Sequence, residues 1–106
     1  MPALRRSPRI AWREEPEEKE RILAALERGE DVGDRGWVIL VDGGLMHRLN
    51  LVAGEIWCLA DGSRGPREIA RILAGRYDAP VEEIERDVER FVGECLRRGW
   101  LTAEDG

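Results

Sequence analysis

The side chains in this chain that could perform chemistry are few and scattered. There is one histidine, His47, and there are two cysteines, Cys58 and Cys95, 37 positions apart. One imidazole and two separated thiols lack the fourth strong ligand that a zinc site needs, and neither C-x-x-C nor H-E-x-x-H occurs. No phosphate loop is encoded, because G-x-G-x-x-G and G-x-x-x-x-G-K-S/T are both absent. The stretch Gly62-Ser63-Arg64-Gly65 reads as a turn between helices. Acids abound, but Glu82, Glu83, Glu85 and Glu89 decorate the exposed face of one helix. Paired carboxylates do acid–base work only where burial or proximity separates their pKa values. Cys58 lies in an apolar helix and Cys95 in an apolar stripe, so both read as packing residues rather than nucleophiles. His47, on an exposed strand, reads as a solvated or cross-strand-paired imidazole, with ligand contact as the functional alternative. The expectation is a non-catalytic protein with no metal and no cofactor.

Composition narrows the class further. At 106 residues and 12.0 kDa the chain suits one domain spanning 1–106. With 42% apolar and 37% charged residues it is globular with a heavily solvated surface. Seventeen basic residues against 22 acidic give −5, which argues against a polyanionic partner. No apolar run exceeds the five residues of Trp37–Val41, whereas a membrane span needs roughly 20. The N-terminal basic residues have no apolar stretch behind them, so neither a secretory signal nor membrane attachment is expected, and the expected address is the cytoplasm.

The order of elements supplies the scaffold. Residues 1–9, with Arg5, Arg6, Arg9, Pro2 and Pro8, read as a flexible arm. Ile10–Arg13 reads as a short strand. Pro16 suits a first helical position, Glu17 and Glu18 suit the positive end of the dipole, and Arg28-Gly29 is a stop. This predicts an amphipathic helix over 16–28 with the stripe Ile22, Leu23 and Leu26. Trp37–Val41 reads as a strand buried on both faces. Asp42-Gly43-Gly44 is a hairpin turn, and Leu45–Leu49 returns as a less buried strand at an edge. Asn50 caps a helix over 51–60 that buries Ile56, Leu59 and part of Trp57. Pro66 opens a second helix, with Glu68 as half of a capping box, the stripe Ile69, Ile72 and Leu73, and Tyr77 beyond its end. Pro80 opens the third, whose stripe is Val81, Ile84, Val88, Phe91, Val92, Cys95 and Leu96. Gly99 stops it, Trp100-Leu101 folds back as a clasp, and Ala103–Gly106 is a tail. The fold class is α+β, resembling a winged helix-turn-helix. A small antiparallel three-stranded sheet is followed by three helices, with an extra helix inserted between the first and second strands.

The run Met46-His47-Arg48-Leu49-Asn50, with Ile56-Trp57, Leu59 and Asp61-Gly62, resembles the PqqD family. Glu68-Ile69, Tyr77-Asp78, Asp87-Val88 with Phe91, and Arg98-Gly99-Trp100-Leu101 extend the resemblance over 36–101. It implies three strands followed by three helices, in agreement with the order above. It also implies a module that holds the leader of a ribosomally made precursor peptide and presents it to a modifying enzyme, commonly a radical S-adenosylmethionine (SAM) protein with iron–sulfur clusters. The peptide is then an added strand beside Leu45, Met46, His47 and Arg48, lying against Asp87, Phe91, Glu94 and Cys95 of the third helix. The helix at 16–28 departs from the family pattern, in which a short link joins these strands.

Physical chemistry reaches a similar mechanism without the family. An edge strand offers unpaired N–H and C=O groups to a guest backbone, and pockets then select alternate side chains. Met46 suits such a pocket or an ordinary core. Arg48 and His47 can attract acidic leader residues, each exposed pair contributing about 0–1 kcal/mol. An exposed edge can also pair with its own copy, giving a strand-exchanged homodimer. Two other classes compete. A winged-helix DNA-binding domain needs a cationic recognition helix, yet the third helix carries four basic against six acidic residues, so no nucleic-acid partner is expected. A redox protein would need a reactive Cys58 or Cys95.

Overall fold

The computed structural model describes residues 2–104. Met1, at the start of the expected arm, and Asp105 and Gly106, at the end of the expected tail, lie outside the described residues. The chain runs β1 (Ala3–Arg6), β2 (Ala11–Glu14), α1 (Pro16–Glu27), β3 (Val38–Asp42), β4 (Leu45–Leu49), α2 (Leu51–Leu59), α3 (Pro66–Tyr77), α4 (Val81–Arg98) and β5 (Leu101–Glu104). It divides into two compact units, Arg9–Gly54 on one hand and Met1–Pro8 with Glu55–Gly106 on the other.

In Arg9–Gly54 the sheet order is β2-β3-β4, all antiparallel, so β4 is an edge as its mixed pattern predicts. Gly43 and Gly44 take φ of 58° and 82°, the backbone that a two-residue hairpin needs and that glycine adopts without a Cβ penalty. Val38, Ile39 and Leu40 are buried, while Val41 is exposed, so β3 is covered on both faces only over its first half. Pro16 opens α1 as expected. Its buried residues are Ile22 and Ala25, whereas Leu26 of the expected stripe is exposed. The helix is held by Glu18 on Arg35 at 2.7 Å and by the Lys19 ammonium 4.4 Å above the Trp37 ring. Trp37 Nε1–H donates to the Leu51 carbonyl at 3.2 Å. Asn50 accepts from the Ala53 N–H at 3.0 Å, the cap read from sequence. Gly54 lies directly against the Trp37 indole, where a Cβ would sit 2.5 Å from Nε1.

The other unit corrects both termini. The expected arm contains β1, which pairs antiparallel with β5, Ala3 opposite Glu104 and Arg6 opposite Leu101. The expected tail contributes β5. Leu4 is 1% exposed and anchors the pair, a lone apolar residue among arginines whose partner strand is nearly a chain length away. Arg6 Nη1 donates to the carbonyls of Trp57 and Cys58 at 2.9 and 3.0 Å, placing a cation at the negative end of α2. Trp57 is wholly buried rather than partly so.

The helix α3 has Gly65 as N-cap with no side-chain capping bond, so the half capping box is not formed there. Tyr77 is its last residue, followed by left-handed Asp78. Ile69, Ala70 and Leu73 are its buried positions, with Ile72 only half-buried. In α4, Ile84, Val88, Val92 and Cys95 are buried, while Leu96 is exposed. The α4 terminus is a Schellman turn. Trp100 N–H donates to the Cys95 carbonyl at 2.9 Å and Gly99 N–H to that of Leu96 at 3.2 Å.

Two outcomes test this packing. Leu4→Ala is expected to destabilise the protein by about 2–3 kcal/mol in urea unfolding, because it empties a buried site; a solvated arm would show almost no change. Gly54→Ala is expected to cost about 1–3 kcal/mol, because the added methyl overlaps the indole, and to shift the Trp37 fluorescence.

Candidate functional site

The direction of each backbone group in the sheet follows from one hydrogen bond. Glu15 N–H donates to the Trp37 carbonyl at 2.6 Å. In an antiparallel ladder hydrogen-bonded and non-bonded pairs alternate. With Arg13 opposite Ile39 and Ala11 opposite Val41, the polar groups of Ile39 and Val41 therefore point to β2. Those of Val38, Leu40 and Asp42 point to β4, where their partners are Leu49, His47 and Leu45. The tight turn agrees, since its closing pair Asp42–Leu45 is the hydrogen-bonded one. The N–H and C=O of Met46 and Arg48 consequently face away from β3, along an edge that no other described strand occupies. The His47 N–H points inward to Leu40.

Side chains follow the same register. On one face of the sheet stand two cross-strand rows, Arg13–Ile39–Arg48 and Ala11–Val41–Met46. Ile39 is buried, whereas Met46 is 64% exposed and Val41 is exposed beside it. Met46 is thus a surface residue and not a core methionine. Leu45, at the turn, is 67% exposed. His47 is half-buried on the opposite face, sharing the row of Leu40. Glu15 joins the two arginines: Oε1 lies 3.1 Å from Arg48 Nη1 and Oε2 lies 3.5 Å from Arg13 Nη2. Arg48 Nη1 also donates to the Gly36 carbonyl at 3.4 Å. The opposite edge, β2, is bordered by Trp12, Arg13 and Glu14, all exposed.

The helix residues belong to the other unit. Asp87, Phe91 and Glu94 follow i, i+4, i+7 and share one face of α4. Asp87 is exposed, 3.9 Å from Arg90. Phe91 is half-buried. Glu94 accepts from Arg97 and Arg98 at 2.8 and 2.7 Å, and these bonds hold its carboxyl below the ordinary range. Cys95 is fully buried, and burial, with the Glu94 charge adding, pushes its thiol up to about 12. It offers no surface to a ligand and no thiolate near neutral pH, which speaks against a reactive Cys95.

Two groups escaped the sequence reading. The Arg13–Glu15–Arg48 bridge joins segments far apart in the chain, and no local pattern announces it. Glu55, 2% exposed, accepts from Arg76 Nη1 at 2.9 Å and from the Tyr77 hydroxyl at 3.0 Å. Burial and this carboxylate raise the Tyr77 phenol above its ordinary pKa. Here a signal was present, since Glu55 is the one charged residue of α2. Its partners neutralise a carboxylate that would otherwise be costly to bury, which makes it a structural group. Among the described residues no three His, Cys, Asp or Glu side chains cluster as metal ligands, and no helix is long and apolar enough to cross a membrane.

Comparisons with known proteins bear on the family and the fold. No curated protein matches the sequence. Two solved structures match in fold. One is the solution structure of the PqqD truncation of Methylobacterium extorquens PqqCD, described as a functional, stand-alone recognition element for ribosomally synthesised and post-translationally modified peptides. It is 20% identical, with a TM-score of 0.63 over 93% of this chain and 87% of that one. The other is TbiB1 in complex with the TbiA(β) leader peptide, 18% identical, with a TM-score of 0.64 over 96% of this chain and 99% of that one. The family model for coenzyme PQQ synthesis protein D matches residues 36–101, from the segment before β3 to the first residue of β5, and so over more than half of its length the chain belongs to the PqqD family.

Proposed function

We propose that the chain is a non-catalytic peptide-recognition module. It captures the leader of a ribosomally made precursor by strand addition to β4 and presents it to a maturation enzyme of the radical SAM class, acting as one domain in the cytoplasm. The observation that carries this reading is the outer edge of β4. There Met46 and Arg48 turn their N–H and C=O groups outward, and Leu45 and Met46 expose apolar side chains beside them. Exposed edges are normally blunted by charge, proline or cover. This one carries exposed Leu45 and Met46 at its turn end, with Arg48 beyond them, which favours an incoming backbone.

Two observations favour β4 over β2. Of the four residues of β2 two, Arg13 and Glu14, are charged, against Arg48 alone among the five of β4. The family match also includes β4 and excludes β2. On α4, Asp87, Phe91 and Glu94 are proposed as further peptide contacts, and Cys95 as a buried support beneath them. The winged-helix alternative gains nothing, because α4 is net acidic and three of its four arginines, at 90, 97 and 98, are paired with acids of the same helix. A strand-exchanged homodimer would use the same edge and would compete with the peptide.

Titrating isotope-labelled protein with the synthetic leader of a short peptide encoded beside this chain's gene is expected to shift amide signals at 45–49 and 84–98. Silence at high-micromolar peptide would sink the proposal. Proline substitution separates docking from folding. Met46→Pro removes an outward N–H and is expected to weaken peptide binding about tenfold or more with little loss of stability, with Met46→Ala as the side-chain control. His47→Pro removes an inward N–H and is expected to cost the fold about 3 kcal/mol. Calorimetric melts and binding titrations on the three variants decide the matter.

A further inference from the structure

The register of the sheet constrains which peptide its edge can take. An added strand that bonds to Met46 and Arg48 continues their two cross-strand rows, whichever direction it runs. Its residue beside Arg48 extends a row that already holds Arg13 and Arg48. Its residue beside Met46 extends a row that holds exposed Val41 and Met46. Residues of one strand on one face are two apart, so these two seats are two residues apart in the peptide.

The seats differ in chemistry. In the first row two guanidinium groups share one carboxylate, that of Glu15, which leaves a local positive excess in a chain of net charge −5. Among the described residues the bonds of Arg48, to Glu15 and to the Gly36 carbonyl, both use Nη1. A guanidinium has five N–H donors, so Nε and Nη2 remain for a second acceptor while Glu15 fixes the orientation. Opposite charges directly across a sheet stabilise it, and like charges destabilise it. In the second row a polar neighbour would leave Met46 and Val41 in water, whereas an aliphatic or aromatic one covers them.

We propose that the peptide segment held by β4 carries an acidic and an apolar side chain two residues apart, the acid seated beside Arg48 and the apolar group beside Met46. This deepens the strand-addition reading and rests on it. Glu15 is the positioning residue for Arg48.

The test uses a display library of random short peptides selected against the whole chain, with the best binder resynthesised. Enriched sequences are expected to contain Asp or Glu two positions from Leu, Ile, Met or Phe. Replacing that acid by its amide is expected to weaken binding about threefold, as for an exposed ion pair, and the effect should vanish in Arg48→Gln and shrink in high salt. Replacing the apolar residue by alanine should be coupled to Met46→Ala in the same way. Enriched peptides with no such spacing, or an acid effect that persists in Arg48→Gln, would overturn the inference while leaving strand addition standing, provided the amides of Met46 and Arg48 still respond. Failure of every library peptide to move those amides would overturn both.

Discussion

The hydrogen bond from Glu15 N–H to the Trp37 carbonyl fixes the phase of the small sheet, and the accessible chemistry follows from that phase. A central strand has two sides, and each of its residues can turn its polar groups to only one of them. Ile39 and Val41 are committed to β2, so Val38, Leu40 and Asp42 are committed to β4, while Trp37 gives its carbonyl to Glu15 and its N–H to the Leu49 carbonyl. The strand β4 then points Leu45, His47 and Leu49 inward and is left with Met46 and Arg48 facing out. A shift by one residue would turn Leu45 and His47 outward and move every side chain to the opposite face. The glycine pair of the turn prevents that shift, because a two-residue loop allows one closing pair.

Under the proposed strand addition, the same constraint places the side chains that would select a guest. Main-chain pairing demands little of a guest sequence, so discrimination must come from side chains that flank the pairing groups. On one face these are an arginine held by Glu15 and a methionine beside an exposed valine. The raised pKa values of Cys95 and Tyr77 come chiefly from burial, whereas the lowered one of Glu94 comes from its arginine partners. These shifts follow packing and ion pairing.

Local signals in the chain were read correctly where one or two residues decide the backbone. Gly43-Gly44 specified the hairpin, Asn50 the start of α2, and Gly99 the end of α4, because each acts through its own φ or its own side-chain oxygen. The family motifs between residues 36 and 101 belong to the same category, since they are largely caps, stops and helical stripes. Most of the readings that failed needed a distant partner, the half capping box at Glu68 being a local exception. Residues 1–9 resemble a solvated arm until Leu4 and its neighbours meet Leu101–Glu104 across nearly the whole chain. Leu26 and Ala25 exchanged places because a helical stripe gives a face but not the exact line of contact.

By itself, then, the sequence determined the order of elements from β2 to α4, the hairpin and the helix ends, since all of these depend on residue type and short spacing. Tertiary structure alone decided that the termini pair as strands, that Met46 is exposed, and that Arg13, Glu15 and Arg48 share one charge bridge. The physical reason is that strand phase and burial are set by partners far along the chain, and no local window of residues contains both members of the pair.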